Sequence, residues 1–435
     1  MKAFVDWLAT VNFARLNYIL IPDTPEELDT LRETWAGRYI GGPVSWLYRS
    51  LSQLGRVALV LAVFVAMGGL DVDRSSNHML ASILAGALVA SLAARRLFAM
   101  GDVSLEIEAP SRVSVGQEML VRVTVINRSD RSYGAVQFER PFLSWDGSWV
   151  SAPMAMGCLL PHERQTLRTR ARFDARGRHY LLPFFAAEVL PMRLTLGPGV
   201  RSIGTPFLVV PRVATITHLR LGMSPRFQPG GVALASKTGE STELYGLRPY
   251  RRGDRLRDLH ARSWARTGKP VVREYQQEYF TRVGVFLDTD LAATTERGFE
   301  AAISLAAGVV LHLSRGEALI DLLVTGDELH SLTVGRSLGS FEQALDHLAC
   351  AQAGPGFDCP RTLELLAPHL SRLSSMVLIV NHWDPPRQEL ARAMGARGVA
   401  VKTIVIGEAQ GAGRDLRQVS RVSIAQIEAD EGLSL

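Results

Sequence analysis

Three rhythms of apolar and polar positions divide the chain. Between residues 51 and 100 the apolar positions run together: residues 57–70 (VALVLAVFVAMGGL) and 79–94 (MLASILAGALVASLAA) flank the polar turn DVDRSSNH. Neither run carries a polar stripe at helical spacing, whereas a helix on a soluble domain keeps one face for water. Each run by itself is shorter than the roughly 20 residues that cross a bilayer. Leu51 and Leu54 extend the first, and Leu97, Phe98 and Met100 extend the second. The pattern predicts an N-terminal transmembrane helical hairpin, with a hairpin buried in a soluble core as the alternative.

From Val103 the period falls to two in VSLEIEAP, EMLVRVTVINRS, AVQFERP and TLRTRARFDARGRHYLL. Alternation with turn residues between the segments predicts strands, and here an all-β sandwich over residues 101–215. From residue 283 short apolar runs alternate with helical periodicity: VGVFLD, a helix over 296–313, ALIDLLVTG, ELHSLTVG, helices over 340–351 and 361–373, MVLIVN, a helix over 386–394, and VAVKTIVIG. This alternation predicts a mainly parallel α/β sheet covered on both faces, in which ligands meet the carboxyl ends of the strands. Asp288 and Asp384 fall at that edge.

The resulting layout is a cytosolic or interfacial segment (1–50), the hairpin (51–100), the sandwich (101–215), a linker with a motif-rich stretch (216–282) and the α/β domain (283–435). Residues 222–243 are rich in Gly, Pro and Ser, which marks a loop. Residues 1–20 predict an amphipathic helix with Phe4, Leu8, Val11 and Leu20 near one face. Asp6 and the lack of a small-residue cleavage pattern argue against a cleaved signal peptide.

Charge adds orientation. The net charge of +5 comes mostly from arginine. Arg49 and Arg56 precede the first apolar run and Arg95 and Arg96 close the second, so the positive-inside rule predicts both chain ends in the cytoplasm. No basic tract interleaved with aromatics points to nucleic acid. The three cysteines have neither disulfide nor zinc spacing.

The densest chemistry lies in residues 241–279, STELYGLRPYRRGDRLRDLHARSWARTGKPVVREYQQEY. Gly253-Asp254 is a turn pair, and Asp254 is the expected bidentate partner of Arg248 or Arg257. Two readings coexist: a structural Arg–carboxylate network, and a docking face for an acidic partner formed by surplus arginines such as Arg251, Arg252, Arg255 and Arg262. Gly246, Leu247, Arg248, Tyr250, Gly253, Asp254, Arg257, Ala265, Arg266, Thr267, Gly268, Val272, Arg273 and Glu274 follow the pattern of a family signature. The stretch closely resembles that of the domain of unknown function 58 (DUF58) family, where it precedes a von Willebrand A-like domain. The match departs at His260-Ala261, where the family usually has tryptophan; Trp264 is the expected stand-in.

The resemblance implies a Rossmann-like, doubly wound von Willebrand A-like sheet, a bacterial inner-membrane location with the soluble domains facing the cytoplasm, and an adaptor role. It implies work beside a MoxR-type AAA+ ATPase in envelope-related assembly or maturation, with membrane lipid and other membrane or envelope proteins as further partners. Von Willebrand A-like domains often hold Mg²⁺ through an Asp-x-Ser-x-Ser loop, and here Asp288-Thr289-Asp290-Leu291-Ala292 stands in its place. Asp288 and Asp290, with Thr362 and Asp384 as stand-ins for the later loops, give a degenerate Mg²⁺ site or an ordinary polar loop capping helices. No catalytic residue is assigned: there is no GxxxxGK[ST], GxSxG or HExxH motif, the histidines stand singly, and Cys359 with His369 is a weak pairing. The competing expectation is a metal-assisted hydrolase using Asp288, Asp290 and Asp384.

Overall fold

A computed structural model describes residues 39, 43, 46–47, 50–68, 75–151, 157–190, 192–222, 244–252, 254, 256, 259–275, 282–290, 295–316, 318–325, 329–335, 338–354, 356–407 and 419–435. The expected helix over residues 1–20, most of the Gly/Pro/Ser-rich loop, and Gly253, Arg255, Arg257, Leu291 and Ala292 lie outside them. The fold is mixed α/β with several sheets, divided into two compact units, Met1–Arg212 and Val213–Leu435.

In the first unit, helices α1 (Gln53–Gly68) and α2 (Ser75–Ala94) form over the two apolar runs, which contain no proline and, apart from Arg56, no Asp, Glu, Lys or Arg side chain. The stretch His78–Phe98 is long and apolar enough to cross a membrane, which is compatible with membrane association. The shorter apolar stretch Leu54–Met67 belongs to α1. Val57, Val60, Phe64, Met67, Met79 and Val89 are exposed, so this apolar surface is not spent on the unit's own core. The two helices meet at one foot. Ser52 donates its backbone N–H to Leu194 O (3.0 Å) and its hydroxyl to Arg193 O. At the end of α2 the Ser91 and Thr195 hydroxyls lie 2.5 Å apart, and Arg95 Nε donates to Leu196 O (2.7 Å). Gly55 is required here, because a Cβ would collide with the Leu194 carbonyl oxygen.

Ten strands follow: β1 (Val103–Glu108), β2 (Arg112–Ser114), β3 (Glu118–Asn127), β4 (Val136–Glu139), β5 (Gly147–Trp149), β6 (Arg164–Phe173), β7 (Gly177–Leu181), β8 (Phe185–Glu188), β9 (Val200–Arg201) and β10 (Thr205–Val210). They make sheets ordered β1-β3-β6-β5, β2-β10-β7 and β4-β8-β9, antiparallel except for β2 with β10. The period-two pattern is realised in β3, whose Met119, Val121, Val123 and Val125 enter one core with Phe138, Phe173, Phe184 and Phe207.

The second unit contains β11 (Ile216–His218), β12 (Leu244–Pro249), α3 (Ala261–Thr267), β13 (Val271–Tyr275), β14 (Arg282–Leu287), α4 (Glu296–Ser314), β15 (Leu319–Val324), β16 (His330–Val334), α5 (Leu338–Cys350), α6 (Cys359–Leu370), β17 (Ser375–Val380), α7 (Pro385–Ala396), β18 (Ala400–Ile406), β19 (Val419–Val422), α8 (Ile424–Ala429) and β20 (Leu433–Ser434). Its main sheet has the order β16-β15-β14-β17-β18-β19 and is parallel except for β16. Strand residues alternate between two cores. Val285, Leu287, Val377 and Ile379 face α4 and α5, whereas Phe286, Met376, Leu378 and Val380 face Leu366 and Leu370 of α6 and Leu390 and Met394 of α7. Burial on both faces explains the unbroken apolar runs. The chain leaves β14 toward β15 on one side and returns to β17 on the other, so the carboxyl ends of β14 and β17 flank the switch in strand order, where open α/β sheets form a crevice.

Candidate functional site

The signature stretch folds as a small element of its own, which the turn-based expectation for this region did not include. β12 and β13 pair antiparallel, with Gly246 opposite Glu274, Leu247 opposite Arg273 and Arg248 opposite Val272, and α3 lies between them in sequence. Of the two guanidinium partners expected for Asp254, the fork of Arg248 takes the role: Nη1 and Nη2 each donate to a carboxylate oxygen at 2.8 Å. The Arg251 backbone N–H adds a third bond at 2.7 Å. The bonds from Arg248, then that from Arg251, hold the Asp254 pKa down to about 2.

His260 is a cap: its Nδ1 accepts from the Ser263 N–H at the start of α3, and Gly268, in the left-handed region at φ 68°, ends the helix. The Tyr250 N–H donates to Pro270 O (2.9 Å), holding the two arms together. Only Val272 of this element is buried among the described side chains. Arg251, Arg252, Arg262, Arg266, Lys269 and Arg273 are exposed. Leu256, Leu247 and Trp264 are 71%, 45% and 44% exposed among them. Trp264, the expected stand-in for a packed indole, therefore keeps much of its surface in solvent. The Glu274 side chain lies outside the described residues.

The second concentration of charge is at the switch in the main sheet. Asp288 follows β14 directly, and its Oδ1 accepts the Asp290 N–H (3.1 Å), which turns the chain so that both carboxylates face the same volume. Thr289 ties this turn to β15 by donating its hydroxyl to Thr325 O (2.7 Å). Asp384 begins α7 by capping it: its Oδ1 accepts the Arg387 N–H (3.2 Å), ahead of Pro385 and Pro386, which suit the first helical positions. The topology thus brings together three of the four expected metal ligands.

The group they surround is Arg387. Its Nε donates to Asp288 Oδ2 (2.6 Å), its Nη2 to Asp290 Oδ2 (2.9 Å) and its Nη1 to Asp384 Oδ2 (2.5 Å). The side chain is 2% exposed, and the Phe357 ring lies against the guanidinium with its centroid 4.5 Å away. Burial raises the Asp288 pKa above the ordinary carboxylate range, opposed by the attraction and hydrogen bond of Arg387. Thr362, the fourth expected ligand, sits in α6 and spends its hydroxyl on Asp358 O (2.6 Å). A divalent cation does not fit these residues as they stand, because the Arg387 guanidinium already lies among Asp288, Asp290 and Asp384 and donates to an oxygen of each. Among the described residues no group of three or more His, Cys, Asp or Glu side chains is arranged to hold a metal ion.

Elsewhere, Cys359 and His369 stand at opposite ends of α6, roughly 15 Å apart along the axis at 1.5 Å per residue, too far for proton transfer between them. Sequence reasoning assigned no chemistry to the β-rich region, yet it contains a buried ionisable pair: His179 Nε2 lies 2.9 Å from Asp146 Oδ2. Burial opposes the charged form of Asp146, but bonds from His179, Ser144 and the Ala175 N–H together outweigh it and lower its pKa. Phe173 and Phe207 flank the imidazole, so the pair ties the residue before β5 to the middle of β7 at the edge of the β-rich core.

Residues 246–435 match the family model described as "Protein of unknown function DUF58", which supports that family for this chain. No curated protein matches it. Among solved structures, native alpha-2-macroglobulin from Escherichia coli, spanning domain MG7 to the C-terminus, is 19% identical over 27% of this chain and 18% of that one, with a TM-score of 0.22. The exo-chitosanase CsxA of Amycolatopsis orientalis is 13% identical over 74% of this chain and 33% of that one, with a TM-score of 0.19. The GH20 exo beta-N-acetylglucosaminidase of Vibrio harveyi is 10% identical over 72% of this chain and 58% of that one, with a TM-score of 0.17. The chain spans less than two thirds of each, and likenesses this slight carry no argument about fold or function.

Proposed function

We propose that this protein is a membrane-anchored, non-enzymatic adaptor that presents a von Willebrand A-like domain and its signature element to partner proteins. On this reading α1 and α2 anchor the chain in the bacterial inner membrane with the soluble domains in the cytoplasm, and the sheets of the first unit form a β-sandwich spacer. The partner is a MoxR-type AAA+ ATPase acting in envelope-related assembly or maturation, with membrane lipid and other envelope proteins around it.

The observation that carries the reading is the exposure of the β12–α3–β13 element. Six of its cationic side chains, Arg251, Arg252, Arg262, Arg266, Lys269 and Arg273, are exposed, as are the apolar Leu247, Leu256 and Trp264. The described acid on the same stretch, Asp254, is already committed to Arg248. Cations interleaved with apolar anchors suit an acidic protein surface, since the charges steer encounter and the apolar groups supply contact. The hydrolase reading is disfavoured by Arg387, which holds the three carboxylates that such chemistry would need open.

The test is co-purification of the detergent-solubilised chain with a MoxR-type ATPase from the same genome, with and without ATP. Stable association is expected, weakened about tenfold or more in Arg251→Glu/Arg252→Glu/Arg262→Glu and by added salt. No association under either nucleotide condition would dismiss the proposed partner.

A further inference from the structure

We infer that Arg387 is a resident cation standing where a von Willebrand A-like strand edge would hold a divalent metal, so that Asp288, Asp290 and Asp384 form an edge that works without a bound ion. Three observations carry this. First, the three donor nitrogens each reach a different carboxylate, at 2.6, 2.9 and 2.5 Å. Donors spread across a planar guanidinium hold those oxygens around an extended group, whereas Mg²⁺ needs them octahedrally about one point at roughly 2.0–2.1 Å.

Second, the guanidinium cannot readily step aside. It emerges three residues after the Asp384 cap, on the first turn of α7, and Phe357 covers it 4.5 Å from the ring centroid. At 2% exposure, removing it would leave the buried carboxylates of Asp288 and Asp290 with nothing to balance them. Third, the departure from the Asp-x-Ser-x-Ser pattern acquires a use. Asp290, where that pattern has serine, supplies the carboxylate that receives Nη2. An added negative charge beside a hard dication and an added partner for a guanidinium are different adaptations, and the geometry is that of the second.

Full-length protein in detergent, titrated with Mn²⁺ and followed by electron paramagnetic resonance, distinguishes the two. The wild type is expected to leave the free-ion signal unchanged into the millimolar range, and its thermal midpoint to ignore both Mg²⁺ and EDTA. In Arg387→Ala and Arg387→Gln the carboxylates lose their counter-ion. Those variants are expected to take up about one Mn²⁺ per chain, with a thermal midpoint that rises several degrees on addition and falls back with EDTA. Stoichiometric uptake by the wild type that Asp290→Asn abolishes would overturn the inference, as would folded Arg387 variants that bind no Mn²⁺. If neither variant folds, the wild-type titration decides alone.

Discussion

Arg248 with Asp254 and Arg387 with its three aspartates use the same chemistry in opposite surroundings. The first is a bidentate pair, with both distances 2.8 Å, on an element whose neighbouring side chains are exposed. The second shares one guanidinium among three carboxylates at the carboxyl edge of a sheet buried on both faces. In water a pair mainly fixes local geometry, and here Asp254 shapes the turn that displays Arg251 and Arg252. Out of water, the same bonds keep carboxylates tolerable in a place that would otherwise reject them. One arginine arranges a surface; the other closes one.

The comparison breaks most severely at Arg387. Arg387→Met is expected to cost about 3–5 kcal/mol, since it strands buried carboxylates. A large fall in thermal midpoint or a sharp rise in proteolysis of the second unit would register it. Arg387→Lys is expected to fall between, because an ammonium cannot span three carboxylates as a planar fork does. Asp290→Asn removes one bond but also one of three mutually repelling charges, so about 2 kcal/mol or less is expected in chemical denaturation. A loss as large as that of Arg387→Met would show that Asp290, rather than the guanidinium, is the organising group.

Acid sharpens the comparison further, because the signs differ. Asp288 has a raised pKa in the folded state, so its contribution favours folding at low pH and is lost as pH rises from its ordinary value of 3.8 through the raised one. Asp254 is lowered from 3.8 to about 2, so its contribution is full above 3.8 and is lost as pH falls toward 2. Stability of the wild type relative to Asp288→Asn should therefore fall with rising pH, and relative to Asp254→Asn should rise with it. Parallel slopes would mean that both carboxylates sense the same environment. The smallest effect of all is expected for Asp254→Asn: even at neutral pH, where its contribution is full, thermal unfolding should barely change, because a pair at the surface is worth little.

Much of the second unit was legible in the sequence. The predicted helices at 296–313, 340–351, 361–373 and 386–394 correspond to α4, α5, α6 and α7, because apolar faces and first-turn signals such as the Thr295 cap and Pro385-Pro386 coincide there. In the β-rich region β3 and β6 were legible through ten residues of alternation, whereas β2, β5 and β9 are two or three residues long and carry no period. β12 (LYGLRP) and β13 (VVREY) were missed because they are short and, with β12 interrupted by Gly246 and Pro249, carry no period-two alternation to reveal them. At the sheet edge the aspartates were found and their occupant was not. A search for oxygen ligands passes over a cation, and Thr362 fitted the expected order along the chain while its hydroxyl belongs to its own helix. The available signal was the basic residue three positions after Asp384, one turn along the same helix.

The foot of the helical pair has a mechanical meaning. Ser52, Ser91 and Arg95 grip consecutive positions of the 193–196 loop, Arg56 reaches Glu139 of β4 at 2.8 Å, and Gly55 lets the backbone of α1 touch that of the loop. The joint has no slack chain at either helix. A tilt or a sideways pull on the helices is therefore passed on as torque to the strands beneath rather than absorbed by a tether, and Gly55→Ala would loosen the coupling at its tightest point.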